Sequence, residues 1–136
     1  MYTFDYQRPT SVANAKAALS GDARYLAGGQ SLIQAMKLRL SSSERLVDLG
    51  GLNDLKAIKM DGANLVIGAM VTHAAVAMSS DVKKASPALA ELAGGIGDPM
   101  VRNMGTIGGS IANADPAACY PAGVVGLNAT DRKSVV

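Results

Sequence analysis

The chain has 136 residues, 49% of them hydrophobic and 18% charged, a composition that excludes a disordered chain and suits one domain. Thirteen basic against eleven acidic residues give a net charge of +2, and the basic residues are too scattered for a nucleic-acid protein. The single cysteine, Cys119, excludes an internal disulfide and any zinc or iron–sulfur site built from C-x-x-C pairs.

The start, Met1-Tyr2-Thr3-Phe4-Asp5-Tyr6, lacks a basic stretch followed by an apolar run, and no segment approaches membrane-spanning length. The expectation is a soluble protein of the reduced cytoplasm. Pro9-Thr10 turns the chain, and Ser11 is predicted to cap a helix that runs to residue 19. Gly21-Asp22 breaks it. Residues 23–27 read as a short buried strand, Gly28-Gly29 as a turn, and Ser31 as the cap of a second helix. That helix carries Leu32, Ala35, Met36 and Leu40 at helical spacing.

Residues 45–49 form the next predicted strand. Residues 55–60 and 64–70 flank Asp61-Gly62, a hairpin signal. Thr72 is placed to cap a short helix over 74–78. Ser86-Pro87 opens another, because Pro at the first helical position loses nothing by lacking an N–H, and it ends near Gly94-Gly95. From there to Pro121 the abundance of Gly, Asn, Asp and Pro predicts loops and short strands, with a last helix over 120–127. Strands and helices mix without a regular βαβ beat, which favours an α+β fold.

Two glycine-rich loops stand out. Ala27-Gly28-Gly29-Gln30-Ser31 lies between a strand and a helix. Backbone N–H groups at a helix N-terminus suit a diphosphate through their donors and through the helix dipole. Glycine is needed there where the backbone must approach closely or take positive φ. Gly105-Thr106-Ile107-Gly108-Gly109-Ser110 repeats the logic with hydroxyls at Thr106 and Ser110. Either loop alone is equally a plain tight turn, and neither is the G-x-G-x-x-G fingerprint or a P-loop. The pair in one small domain points to a cofactor.

Other candidates read more plainly. His73, the only histidine, has no carboxylate pattern around it and suits a structural or cofactor-edge role. Cys119 has no adjacent base and reads as a buried small residue. Asp98 and Arg102 suggest a structural ion pair. The seven methionines read as core filler. Lys37 with Arg39, and Lys83 with Lys84, read as solvated faces. No residue is assigned a catalytic or metal-ligating role.

Several segments resemble the FAD-binding medium subunit of molybdenum hydroxylases, the group of aerobic carbon monoxide dehydrogenase and xanthine dehydrogenase. They are Phe4-Asp5-Tyr6-x-Arg8-Pro9, Ala27-Gly28-Gly29-Gln30-Ser31-Leu32, Met36-Lys37-Leu38-Arg39-Leu40, Ile67-Gly68-Ala69-Met70-x-Thr72-His73 and Gly97-Asp98-Pro99-x-Val101-Arg102-Asn103. The most specific is Gly105-Thr106-Ile107-Gly108-Gly109-Ser110-Ile111-Ala112-Asn113-Ala114-Asp115-Pro116-Ala117. The resemblance implies a vanillyl-alcohol-oxidase/PCMH-type FAD fold. Residues 1–52 would form its first subdomain and 53–136 the start of its second.

It further implies that Ala27, Gly28, Gly29, Gln30 and Ser31, with Thr106, Ile107, Gly108, Gly109 and Ser110, hold the FAD diphosphate. Asp115 would hydrogen-bond the ribityl or sugar part. The implied partners are a large molybdenum-binding subunit with a molybdopterin cofactor and a small subunit with 2Fe–2S clusters. Gln30 and Cys119 stand where many relatives have His and Asp. Such subunits run to roughly twice this length, consistent with two domains, and the ending at residues 131–136 reads as a truncation or frameshift. Two other readings stay open: a relic or subunit-docking module without flavin, and an independent oxidase of the vanillyl-alcohol-oxidase type.

Overall fold

The computed structural model describes residues 1–132. The chain folds as two lobes with separate cores. The first lobe holds three parallel strands, β1 (Asp5–Gln7), β2 (Ala23–Leu26) and β3 (Arg45–Asp48), in the order β1-β3-β2. Tyr6 and Arg24 both register on Leu46, so β3 is the central strand. Its Leu46 and Val47 are fully buried, as β-branched and aliphatic residues on a central strand should be. Helix α1 (Val12–Ala18) links β1 to β2, and α2 (Leu32–Lys37) links β2 to β3.

Helix α1 starts where Ser11 Oγ accepts from Asn14 N at 3.2 Å. Its Val12, Ala15 and Ala18 share one helical face and pack on Val47, Leu52 and Tyr25. Two 3-10 turns, Leu49–Gly51 and Asn53–Lys56, lead into the second lobe.

There β4 (Ile58–Asp61) and β5 (Asn64–Ile67) form an antiparallel hairpin around Gly62, whose φ is +59°. Six helices follow: α3 (His73–Met78), α4 (Ser80–Ala85), α5 (Pro87–Gly94), α6 (Pro99–Met104), α7 (Ile107–Asn113) and α8 (Cys119–Gly126). Val71, Val76, Val82, Leu89, Ala93, Ile107 and Tyr120 make one core cluster, with Ile58, Leu65 and Ile67 of the hairpin against it. Each fully buried aliphatic side chain contributes about 1.5–3 kcal/mol. A parallel sheet with crossover helices beside a hairpin under six helices is an α+β fold.

Several expectations need correction. Residues 99–113 are two helices, not loops and short strands. Asp98 Oδ1 caps α6 by accepting from Val101 N at 2.9 Å, with Pro99 as the first helical residue, and Thr106 Oγ1 caps α7. Residues 80–85 form the short α4, beyond the expected elements; Ser79 caps it, and Lys83 and Lys84 suit its C-terminal end. Strand β1 is likewise an element beyond those expected. Strand β2 is half-exposed rather than buried, and the first lobe does have a βαβαβ beat. Of the seven methionines only Met36 and Met70 are buried, while Met1, Met60, Met78, Met100 and Met104 are exposed.

Candidate functional site

The first glycine loop leaves β2 after Leu26 and enters α2. Gly29 takes the left-handed φ of +71° that the reversal needs. Ser31 does not cap α2 with its side chain as expected. Its backbone is already helical, with φ −114° and ψ −54°, so the hydroxyl makes no cap bond. Gln30 Nε2 donates to Gly28 O at 3.3 Å and braces the loop. Among the described residues, none of the backbone amides of residues 28–32 donates to a protein acceptor. A run of unspent donors at a helix start is an anion cradle.

The second segment differs. Thr106 Oγ1 accepts from Gly109 N at 3.1 Å. Ile107 N donates to Val71 O at 3.0 Å, and Gly108 N to Ala69 O at 2.9 Å. Ser110 N closes the first helical turn on Thr106 O at 3.0 Å. The amides at the start of α7 are therefore spent inside the protein, and the Ile107 side chain lies in the core. The two loops do not repeat one logic. The first offers amides; the second is fastened to residues 69–73 and offers the Ser110 hydroxyl, which has no protein partner among the described residues.

The two segments meet although they belong to different lobes. A Cβ on Gly28 would collide with Met104 O and stand 2.7 Å from Gly105 Cα and 2.8 Å from Met104 C. A Cβ on Gly109 would touch the Ala27 Cβ at 3.4 Å. The absent side chain at Gly28 is what lets the lobes close backbone to backbone. The open amides of the first loop thus sit beside the start of α7.

Asp115 lies past the C-terminal end of α7, about 10 Å along the helix from Thr106 by the usual rise per residue. It is exposed, and its Oδ1 accepts from Ala117 N at 2.9 Å. Ala114 before it caps α7 in the left-handed region, φ +49°. Cys119 is exposed, not buried, because it opens α8 on the surface side while the neighbouring Tyr120 turns into the core. Asp98 and Arg102 form no ion pair. Asp98 is spent on the α6 cap, and the Arg102 guanidinium donates to Ile96 O at 3.2 Å and Gly97 O at 2.8 Å. His73 is buried, and burial pushes its pKa below the ordinary 6.5.

A polar knot in the first lobe had no sequence signal. Asp48 accepts from Gly50 N at 2.7 Å and from the Tyr6 hydroxyl, and pairs with Arg8 Nε at 3.5 Å. That carboxylate raises the Tyr6 pKa, chiefly by accepting its hydrogen bond. A surface hollow of about 500 Å³ is lined by Tyr2, Asp22, Arg24, Arg39, Leu40, Ser41 and Ser42, none of them in either loop. It is shallow and open, so the loops are the stronger candidate. Among the described residues no group of three His, Cys, Asp or Glu could hold a metal ion. No helix among them is long and apolar enough to cross a membrane.

The family profile described as "FAD binding domain in molybdopterin dehydrogenase" matches residues 2–131. The chain belongs to this family. As an FAD-binding domain of that kind, it is 48% identical over 123 residues to the carbon monoxide dehydrogenase medium chain of Afipia carboxidovorans, covering 88% of this chain and 43% of that one. It is 42% identical over 129 residues to the glyceraldehyde dehydrogenase medium chain of Sulfolobus acidocaldarius, covering 93% and 46%. The solved structure of quinoline 2-oxidoreductase from Pseudomonas putida 86 superposes with a TM-score of 0.86 at 38% identity, covering 88% of this chain and 43% of that chain. The FAD-binding domain described here thus spans less than half the length of these relatives.

Proposed function

We propose that this chain supplies the diphosphate-holding part of the FAD site in a medium subunit of a molybdenum-containing hydroxylase or dehydrogenase. In that role electrons pass from 2Fe–2S clusters on a small subunit to FAD and on to an acceptor. The substrate is oxidised at a molybdopterin cofactor on a large subunit. The observation that carries the reading is the run of unspent amides at residues 28–32, set against the second glycine segment by the Gly28 contact. A diphosphate needs such donors, and the site supplies them without a lysine or a metal.

The residues fit the group in distinct ways. The amides of Gly28, Gly29, Gln30 and Ser31, with the Ser31 hydroxyl, would hold diphosphate oxygens. Ala27 and Gly109 would form the closed floor between the lobes. Thr106, Ile107 and Gly108 position that floor through bonds already made, and Ser110 adds one hydroxyl. Asp115, at the far end of α7, would hold a hydroxyl of the ribityl or sugar part. When bound, FAD supplies the electron-carrying chemistry; the chain supplies binding and the surrounding field. The boundary between subdomains would fall near residue 52, a placement that the two separate cores support.

The named relatives carry carbon monoxide, glyceraldehyde and quinoline in their names, three unlike substrates on one fold. Substrate choice would therefore lie on the large subunit. A reducing, cytoplasmic setting suits the exposed thiol of Cys119. The direct test is titration with FAD, read by flavin fluorescence and by amide NMR shifts. Binding is expected to be weak in this 136-residue chain and to move the amides of residues 28–32 first. Absence of FAD binding at high protein concentration, or binding that moves only amides elsewhere, refutes the assignment.

A further inference from the structure

His73 stands directly behind the second glycine segment. Its backbone N–H donates to Gly105 O at 3.0 Å, and Thr72 bridges Thr106. The ring fills the space beside Gly105: a Cβ there would stand 2.5 Å from Nε2 and 2.9 Å from Cδ2. The residue is 5% exposed, and Nδ1 is buried with no hydrogen-bond partner. Tyr120 closes another side, with ring centroids 5.3 Å apart, and its hydroxyl is likewise buried and unpartnered.

This arrangement accepts a neutral imidazole and rejects an imidazolium. A charged ring must donate from both nitrogens, and Nδ1 has no acceptor here. The elements packed around α3 carry Asp81, Lys83 and Lys84 on α4, Glu91 on α5, Arg102 on α6, and Cys119 and Tyr120 on α8. None contributes a charge interaction to His73; burial alone disfavours its proton.

We propose that His73 is a positioning residue for the second glycine segment, and that its protonation opens this segment and loosens the flavin held beside it. The flavin half of the inference rests on the function proposed above; the opening of the segment does not. In the closed state burial and the unpartnered Nδ1 disfavour the proton on His73. In the open state the ring meets water and takes up a proton with its ordinary affinity, near pH 6.5. Proton linkage then favours the open state more at pH 5.5 than at pH 7.5, by up to about tenfold.

Hydrogen exchange in the whole chain tests the opening. Protection factors, which correct for intrinsic exchange, are followed for the amides of His73, Ile107, Gly108 and Gly109 at pH 7.5 and 5.5. They should fall, by up to about tenfold, in the wild type and stay level in His73→Gln and His73→Phe. The amide of Ala93 in α5 and that of Ala15 in α1 should hold their protection in all three proteins. An equal fall at every amide, or the same fall in both variants, overturns the proposal.

FAD titration gives the second readout. The wild-type dissociation constant should rise by a similar factor over this pH range, and that of His73→Gln should not. FAD binding that is insensitive to His73 at both pH values overturns the flavin half. No FAD binding at pH 7.5 sinks the proposed function instead, while the exchange result still decides whether His73 governs the segment.

Discussion

Replacing Gly28 by Ala tests the seam between the lobes. The backbone at Gly28 does not have a positive φ, so alanine costs nothing there in backbone conformation. The whole effect is steric. The new methyl would sit 2.7 Å from Gly105 Cα and 2.8 Å from Met104 C, whereas carbon atoms prefer about 3.5–4.0 Å. The two segments must therefore part by about 1 Å. The obstructing atoms are main chain and cannot rotate aside. The second segment is also tied to residues 69–73 by the His73, Ile107 and Gly108 amides.

Overpacking commonly costs about 1–3 kcal/mol, and this rigid case belongs at the upper end. For a chain of this size about 3 kcal/mol lowers Tm by roughly 9–15 °C. Differential scanning calorimetry measures it. The control is Gly126→Ala in α8, where an added Cβ meets nothing within 4 Å. That change replaces the last residue of the helix and should leave Tm level or raise it slightly, by less than the about 0.5–1 kcal/mol of a mid-helix glycine. If Gly28→Ala melts within about 2 °C of the wild type while Gly126→Ala behaves as expected, the backbone seam does not exist as described.

Four other outcomes are expected. Thr106→Val removes the acceptor of Gly109 N and should cost about 1–2 kcal/mol in urea unfolding, with Thr106→Ser recovering most of it. Tyr120→Phe deletes a buried hydroxyl that has no partner, so the urea midpoint should hold or rise; a loss above about 1 kcal/mol would show a hidden bond. Asp48→Ala should cost about 1–2 kcal/mol more than Arg8→Ala, because Asp48 also holds Gly50 N and Tyr6, while the ion pair with the exposed Arg8 is by itself worth little. For His73, whose folded pKa lies below 6.5, the unfolded chain binds more protons between those two values. Its contribution to stability is complete above pH 6.5 and is lost as pH falls toward the folded pKa, at up to about 1.4 kcal/mol per pH unit; His73→Gln should flatten that limb.

The sequence showed the parts of this fold whose signals are local. Ser11, Thr72 and Pro87 announce helix starts within one turn, and Asp61-Gly62 announces its hairpin. Helices α6 and α7 were masked by glycine-rich composition, although Asp98-Pro99 and Thr106 were legible caps. Gly108 and Gly109 each weaken a helix by about 0.5–1 kcal/mol, and tertiary contact with Ala69 and Ala27 explains their place in one. The βαβαβ beat was hidden because the strands are three or four residues long and β1 is exposed throughout.

Both glycine loops were visible as motifs, but their different states were not. Whether an amide is spent depends on Val71 O and Ala69 O, more than thirty residues upstream of their donors. The absence of an Asp98–Arg102 pair has the same origin: each group found a closer backbone partner.

The seam at Gly28 also shapes how mutations combine. Contact there is main chain against main chain, so it reports little about which side chains fill either core. Changes in the first core, such as Val47→Ala, and in the second, such as Val76→Ala, share no packing partner. Their free energies should add to within about 0.5 kcal/mol. Paired with Gly28→Ala, either should depart from additivity, because a parted seam lets each lobe relax alone. The two halves can therefore accept side-chain change almost independently, so long as position 28 carries no side chain.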